Sequence, residues 1–375
     1  MYYIGLLSGT SIDNIDAAIV KFNESAQIEI LHTHAHPIPL DVKNQTLDLS
    51  QSGQTSLKEV GELDSKWGSL FADSVNTLIK QSNFDPKKII AIGSHGQTLW
   101  HQSKGALPFT MQIGDPNIIA KKTGIMTVAD FRRADVALGG QGAPLAPGFH
   151  QHFFSSTTKD RIIVNLGGIA NISYLPADPH QSIIGYDTGP ANSLLDSWCM
   201  MHQQTPYDAN GTWAQAGEIQ SKFLNTLLTD NYFSRPYPKS TGKDYFNIKW
   251  LTDYLNHESS NIIHPQEAQN IQATLTELTA VTLSNAILAL SLKDKPEIVL
   301  CGGGAHNNYL ISRIQHHVGN NFIIFNTEKL GVGPDWVEAA LFAWLAKANI
   351  DKIPLDYTKI TGASNPTVLG ARFIP

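Results

Sequence analysis

A chain of 375 residues with 42% apolar residues, 16% charged residues and a formal net charge of -6 is an ordinary globular composition. It has room for about two to three domains at ~150 residues each. No basic block or aromatic-basic stripe argues for nucleic acid, no apolar run approaches the ~20 residues of a membrane span, and the N-terminus lacks the basic n-region of a signal peptide. Its two cysteines, Cys199 and Cys301, cannot form a disulfide framework and read as reduced thiols of a cytoplasmic protein.

Residues 4–20 set two apolar runs, Ile4 to Leu7 and Ile15 to Val20, about a turn of small polar residues. The pattern predicts a β-hairpin with a flexible tip, in which Gly9 tolerates positive φ and Asn14 visits the left-handed region easily. Such a tip can turn its N–H groups outward as a nest for anions, phosphate above all, or can be an ordinary Ser/Thr/Asp hairpin. It is not a Walker loop, because no Gly-Lys-Ser/Thr follows and no helix pattern opens there. Gln27 to Pro37 alternates as a strand with His32, His34 and His36 on one face; without a carboxylate or thiolate nearby in sequence, an exposed sheet face is the better reading than a metal site. Leu57 to Leu78 carries apolar residues at helical spacing behind Ser56 as N-cap, which predicts a long amphipathic helix.

Lys88 to Ile92 is a buried strand running into Gly93-Ser94-His95-Gly96-Gln97-Thr98. His95 and Gln97 are candidate substrate contacts at that strand end, and His95 can equally be bonded only to a neighbouring loop. A short helix over 117–122 and a strand over 125–133 follow, after which the first domain is expected to end. In the stretch from Asp135 to Leu145 the glycines let backbone approach a ligand, while Arg132, Arg133 and Asp135 can orient a polyhydroxylated or carboxylated substrate. A Gly-rich hinge between domains is the alternative reading.

The second half opens on Arg161 to Leu175, where apolar strands again flank a turn, Gly167-Gly168. Two such hairpins, one per half, suit an actin-like, sugar-kinase-like fold that grips a nucleotide. Asp187 stands between a strand and the Gly189-Pro190 turn, where a carboxylate can act as general base toward a hydroxyl or water, or simply cap the next helix. Lys239-Ser240-Thr241-Gly242-Lys243-Asp244 is a loop of positive charge, a phosphate contact or a solvated turn. A long helix over 271–292 precedes a strand ending in Gly302-Gly303-Gly304, bare backbone suited to a flat ligand such as adenine or ribose. The last clear element, 335–346, reads as an amphipathic helix with Glu338 in its first turn.

Taken in order, Gly5-Leu6-Leu7-Ser8-Gly9-Thr10-Ser11-Ile12-Asp13-Asn14-Ile15-Asp16, Gly93-Ser94-His95-Gly96-Gln97-Thr98, Asp130-Phe131-Arg132-Arg133, Gly139-Gly140-Gln141-Gly142-Ala143-Pro144-Leu145, Asn165-Leu166-Gly167-Gly168, Asp187-Thr188-Gly189-Pro190, Lys239-Ser240-Thr241-Gly242 and Cys301-Gly302-Gly303-Gly304 resemble one family nearly end to end. It is the anhydro-N-acetylmuramic acid kinases of bacterial cell-wall recycling, within the actin, Hsp70 and sugar-kinase superfamily. With the two hairpins, the resemblance implies an α/β fold, a two-domain actin-like ATPase (ribonuclease H-like) with a nucleotide cleft between the domains. The expected domains are 1–133 with a C-terminal return at 360–375, and 134–359. The family usually shows Met at Leu7 and Gly at both Asn14 and Ala191.

The resemblance implies ATP and Mg²⁺ as cofactors, with the metal ligands unassigned. It places the nucleotide at Gly9, Thr10, Ser11, Ile12, Asp13, Asn14, Ile15 and Asp16, at Asn165, Gly167 and Gly168, and at Gly302, Gly303 and Gly304. His95, Gln97, Arg132, Arg133, Asp135 and Gln141 are expected at the sugar, with Asp187 as catalytic base and Glu338 as an acid that helps hold the sugar. Family members open the 1,6-anhydro bridge with water while phosphorylating the released oxygen, giving N-acetylmuramic acid 6-phosphate. A small-molecule substrate, a homodimer and no nucleic-acid or membrane partner are the corresponding expectations. Two rivals are a sugar kinase of the same fold that phosphorylates a free hydroxyl without hydrolysis, and an ATP switch of the Hsp70 kind.

Overall fold

The structure is a computed structural model that describes residues 1–9, 12–23, 27–256, 264–293 and 295–375. Its contacts divide the chain into two compact units, Met1–Phe153 with Gly331–Pro375, and Phe154–Leu330.

In the first unit, β1 (Tyr2–Ser8) and β2 (Asn14–Phe22) form the predicted hairpin, and β3 (Ile28–Pro37) continues it antiparallel. On the other side of β1 lies β4 (Ile89–Ser94), parallel; the chain then makes a small hairpin of β5 (Gln97–Gln102) and β6 (Phe109–Ile113) before β7 (Thr127–Ala129) joins parallel to β4. In the second unit, β8 (Arg161–Leu166), β9 (Ile169–Leu175) and β10 (Ile184–Pro190) run antiparallel, while β11 (Glu297–Cys301) pairs parallel with β8 and β12 (Ile323–Asn326) parallel with β11. The sheet orders β7-β4-β1-β2-β3 and β12-β11-β8-β9-β10 are therefore the same order with the same strand senses, the ribonuclease H-like arrangement expected twice over. The chain's final strand, β13 (Ala371–Phe373), returns to the first unit and pairs antiparallel with β7.

The divisions at 153/154 and 330/331 differ from the expected 133/134 and 359/360. Side-chain packing explains the shift: the Phe149 ring meets Trp344 at 5.9 Å, and the Tyr357 hydroxyl donates to the Leu145 carbonyl at 2.8 Å. These contacts hold both 134–153 and 331–359 in the first unit, so the glycines of 139–142 lie inside that unit and are no hinge between units.

The helix Leu57–Ser82 has the predicted cap, in which Ser56 and Glu59 exchange side-chain and backbone hydrogen bonds, and it buries Leu63, Trp67, Phe71 and Val75 in the first core. The predicted strand 125–133 is shorter, because Asp130 takes a φ of 62° and Arg133 begins a helix. On the face of the three histidines His32 is exposed, as expected, while His34 and His36 are half-buried and bond to each other at 3.2 Å; among the described residues no three His, Cys, Asp or Glu side chains are placed to hold a metal.

The largest departure from the predicted elements is the helix Val337–Ile350, which is buried on nearly every side and is not amphipathic. Two glycines that are register partners, Gly5 on β1 and Gly93 on β4, let it lie directly on the sheet. A Cβ on Gly5 would fall 1.7 Å from the Ala339 carbonyl oxygen, and one on Gly93 2.0 Å from that of Phe342. This close seat is what carries Glu338, in the helix's first turn, to the same end of the sheet as the first hairpin tip.

Candidate functional site

Each unit assembles its own constellation. In the first, β1 and β4 run parallel and bring the hairpin tip and the His95 loop to one end; the His95 N–H donates to the Leu6 carbonyl at 2.9 Å. Asn14 is the first residue of β2, so it is buried Ile12, with φ 52°, that takes the left-handed conformation in the tip, which corrects the expectation for Asn14. That is a costly backbone state for a β-branched residue. The Ile12 N–H bonds the Gly9 carbonyl at 3.0 Å, and Lys43 pairs Asp13 at 2.9 Å. Thr10 and Ser11, expected at the nucleotide, lie outside the described residues.

Acids converge on Asp16. Burial first, then Glu338, Asp335 and Asp13, push its carboxyl up to about 7. Burial also pushes Glu338 up while Arg132 opposes it, and the Glu338 side chain remains open to solvent, which moderates the shift. Arg132 in turn donates from Nε to His95 Nε2 at 3.1 Å and from Nη1 to the Gly142 carbonyl at 2.8 Å. An acceptor Nε2 makes His95 a neutral imidazole with its proton on Nδ1. Burial and the neighbouring Arg132 hold its pKa well below the usual histidine range, and its ring stacks on Phe342 at 4.6 Å.

The remaining residues expected at the sugar are engaged differently. Arg133 turns outward to Asp130 at 2.9 Å. The fully buried Asp135 is occupied internally, accepting from the Gly142 N–H and the Thr361 hydroxyl, both at 2.7 Å. Gln141 is exposed and ties to the Thr361 carbonyl through its backbone N–H at 2.9 Å. Gln97 is buried and its amide donates to the Thr98 carbonyl at 3.1 Å, while its Oε1 meets no partner among the described residues. Thus His95, Arg132 and Glu338 are brought together, Asp135 stands beside Arg132 with its carboxylate bonded internally, and Arg133 and Gln141 are exposed.

In the second unit, the Gly167-Gly168 carbonyls accept the N–H groups of Ala191, Asn192 and Ser193 at 3.1 Å, so the helix Asn192–Gln203 is docked on the hairpin turn. Asp187 lies within β10, not at its end, and the cap position of that helix is Ala191, with no side-chain cap bond. The helix-cap reading of Asp187 therefore falls. The Thr241 N–H donates to Asp187 Oδ2 at 3.0 Å, the Asp187 N–H to the Lys239 carbonyl at 3.2 Å, and the Tyr232 hydroxyl to the Asp187 carbonyl at 2.7 Å. Burial pushes the Asp187 carboxyl up to about 6, with the Thr241 N–H pulling the other way. A half-buried carboxylate poised near neutrality, with one oxygen anchored, is suited to accept a proton from water.

Past β11, Gly302 takes φ 78° where a Cβ would stand 2.4 Å from Asn165 Oδ1, and a Cβ on Gly304 would meet Leu166 Cβ at 2.6 Å. The bare backbone here forms one wall of a cavity of about 400 Å³ lined by Asn192, Tyr207, Asn210, Gly303, Gly304 and His306 among others, the size of a nucleoside. Tyr207 and Asn210 were not legible as site residues, since they fall in a turn without periodicity. Asn307, which also lines it, carries one signal: its side chain caps the helix Asn308–Val318 by accepting from the Leu310 N–H at 2.9 Å.

A family model described as anhydro-N-acetylmuramic acid kinase matches residues 1–375. The chain is 47% identical over 369 residues to the anhydro-N-acetylmuramic acid kinase of Coxiella burnetii (strain Dugway 5J108-111), covering 98% of this chain and 96% of that protein. It is 45% identical over 368 residues to the protein of the same name from Aliivibrio fischeri (strain ATCC 700601 / ES114), with 98% of each covered. A solved ROK family glucokinase from Streptomyces griseus, in complex with glucose and AMPPNP, aligns at a TM-score of 0.40 and 11% identity over 92% of this chain and 99% of that one.

Proposed function

The chain belongs to the anhydro-N-acetylmuramic acid kinase family, an ATP-using sugar-kinase family, and from that premise we propose that it opens the 1,6-anhydro ring of its sugar with water while phosphorylating O6. The observation that carries the hydrolytic half is Asp187, held by the Thr241 N–H inside β10 with its carboxyl pushed up to about 6. Asp187 takes a proton from water as that water bonds to the anomeric carbon. The bond from that carbon to O6 breaks, O6 bonds to the γ-phosphorus, and ADP leaves. Because the departing oxygen is itself the phosphoryl acceptor, no separate general acid is needed. A general base contributes roughly 10²–10⁴-fold, and the rest must come from positioning and charge neutralisation.

Glu338, Arg132 and His95 are proposed to hold the sugar, with Arg132 fixing neutral His95 in the tautomer whose Nδ1–H can only donate. The nucleoside is assigned to the cavity beside Gly303 and Gly304, and its phosphates to the Gly167-Gly168 turn of the same unit, through backbone N–H donors. Mg²⁺ fits the acids around Asp16. Asp16 would hold it, and when bound it supplies neutralisation of phosphate charge. A cytoplasmic homodimer remains the family-level proposal, open to sedimentation.

Running the reaction in ¹⁸O-water tests the chemistry: the label is expected at the anomeric carbon of the phosphorylated product. Unlabelled product would move the assignment to a sugar kinase that phosphorylates an existing hydroxyl. The pH profile gives a second check. Asp187 works ionised, so kcat/KM should fall about tenfold per unit as pH drops below about 6. Asp16, at about 7, adds a limb that saturating Mg²⁺ should move to lower pH while leaving the Asp187 limb in place.

A further inference from the structure

We propose that Lys243 is a catalytic phosphate contact: its ammonium neutralises the transferring phosphate of ATP at the Gly167-Gly168 turn. This rests on the assignment of phosphates to that turn. A Cβ on Gly168 would meet Lys243 Cε at 2.8 Å and Nζ at 3.6 Å, so the lysine stem lies over the glycine and its charged end beside it. A larger residue at 168 would occupy the space the stem uses.

The loop is built to hold it there. On its N-terminal side, Thr241 and Lys239 are bonded to Asp187, through the Thr241 N–H at 3.0 Å and the Lys239 carbonyl at 3.2 Å. On the other side, the Gly242 carbonyl accepts the N–H groups of Tyr245 and Phe246 at 3.2 and 3.0 Å, and Phe246 is fully buried. Beneath both, Asp230 accepts from the Tyr245 hydroxyl and Trp250 Nε1, each at 2.8 Å. The loop's other lysine points elsewhere, since Lys239 Nζ donates to the Tyr232 and Phe233 carbonyls at 3.2 Å and lies 4.7 Å from the Tyr232 ring centroid. Of the two, Lys243 is the one placed at the turn.

A turn of backbone N–H groups binds anions with partial charges only, so a full charge at its side supplies what a Walker lysine supplies elsewhere. The same loop thus fixes the carboxylate that activates water and the cation that meets the phosphoryl group, linking the two halves of the reaction in one short segment.

The test compares Lys243→Met, which keeps the stem, with Lys243→Arg. Calorimetric titration of each with ATP and with adenosine, alongside thermal unfolding and steady-state kinetics, reads the role. Lys243→Met should weaken ATP binding by roughly tenfold or more, the scale of a lost charge-assisted hydrogen bond, and lower kcat, with adenosine binding and melting temperature unchanged. Lys243→Arg should recover most of the loss. Wild-type ATP affinity and turnover in Lys243→Met would overturn the proposal, as would equal weakening of ATP and adenosine, which marks a structural role. Wild-type protein that binds adenosine and ATP equally would instead remove the phosphate assignment itself.

Discussion

Asp187→Asn is expected to lower kcat by at least ~10²-fold while ATP and the sugar still bind. The substitution keeps the size of the side chain and an oxygen able to accept the Thr241 N–H, so the tether between β10 and the loop at Thr241 survives. What it removes is the capacity to take a proton. A group that acts only in the transition state lowers kcat and kcat/KM together and leaves ground-state binding in place. The competing account, a helix cap, predicts near-wild-type behaviour because Asn caps about as well as Asp. The structure has already weakened that account, since the strand continues to Pro190 and the cap position belongs to Ala191. Retention of more than about a tenth of wild-type kcat, against the ~10²-fold minimum for a lost base, would count against the catalytic role.

The parts of this molecule that the sequence made legible share a physical cause. Both hairpins announce themselves because a turn of small residues between apolar runs has few other solutions, and their repetition implied two sheets of one topology, as the matching strand orders bear out. The Leu57–Ser82 helix was legible for the same reason: it keeps one face wet, so its period survives, and Ser56 with Glu59 marks its start. The helix Val337–Ile350 hid its nature because a helix buried on all sides has no period to read. Its true environment is recorded in Gly5 and Gly93, residues far away in sequence that mean nothing until the strands pair.

The site divides along the same line. The Gly302-Gly303-Gly304 wall was readable from a strand-to-loop junction, whereas Asp187, expected between a strand and a turn, lies inside β10. Which of two adjacent arginines faces inward was not, because the left-handed turn at Asp130 breaks the alternation that would have decided it; Arg132 reaches His95 and Arg133 turns away. Asp335 escaped for a different reason, and the loop of Lys239 and Lys243 was legible as a phosphate contact or a solvated turn without showing which lysine mattered. Asp335 acts on Asp16 and Lys243 lies at Gly168, each a neighbour distant in sequence.

Gly5→Ala should cost about 3 kcal/mol or more, near or beyond the upper end of the usual range for overpacking. The new methyl would sit 1.7 Å from the Ala339 carbonyl oxygen and 3.0 Å from the Ala343 nitrogen, and both are backbone atoms of a helix that cannot rotate out of the way. The helix must therefore shift as a body, loosening the contact of its Ala339 and Phe342 turns with β1 and β4. The melting temperature should drop by roughly 6–12 °C on that cost. Gly61→Ala is the matched control, an exposed helical glycine with nothing within 4 Å of the added carbon, and it should gain about 0.5–1 kcal/mol. The same shift should carry Glu338 out of register with Arg132 and Asp16, so the folded fraction of Gly5→Ala should also turn over more slowly. An unchanged melting temperature in Gly5→Ala would mean that the helix does not lie on the sheet at this distance, and the placement of Glu338 would go with it.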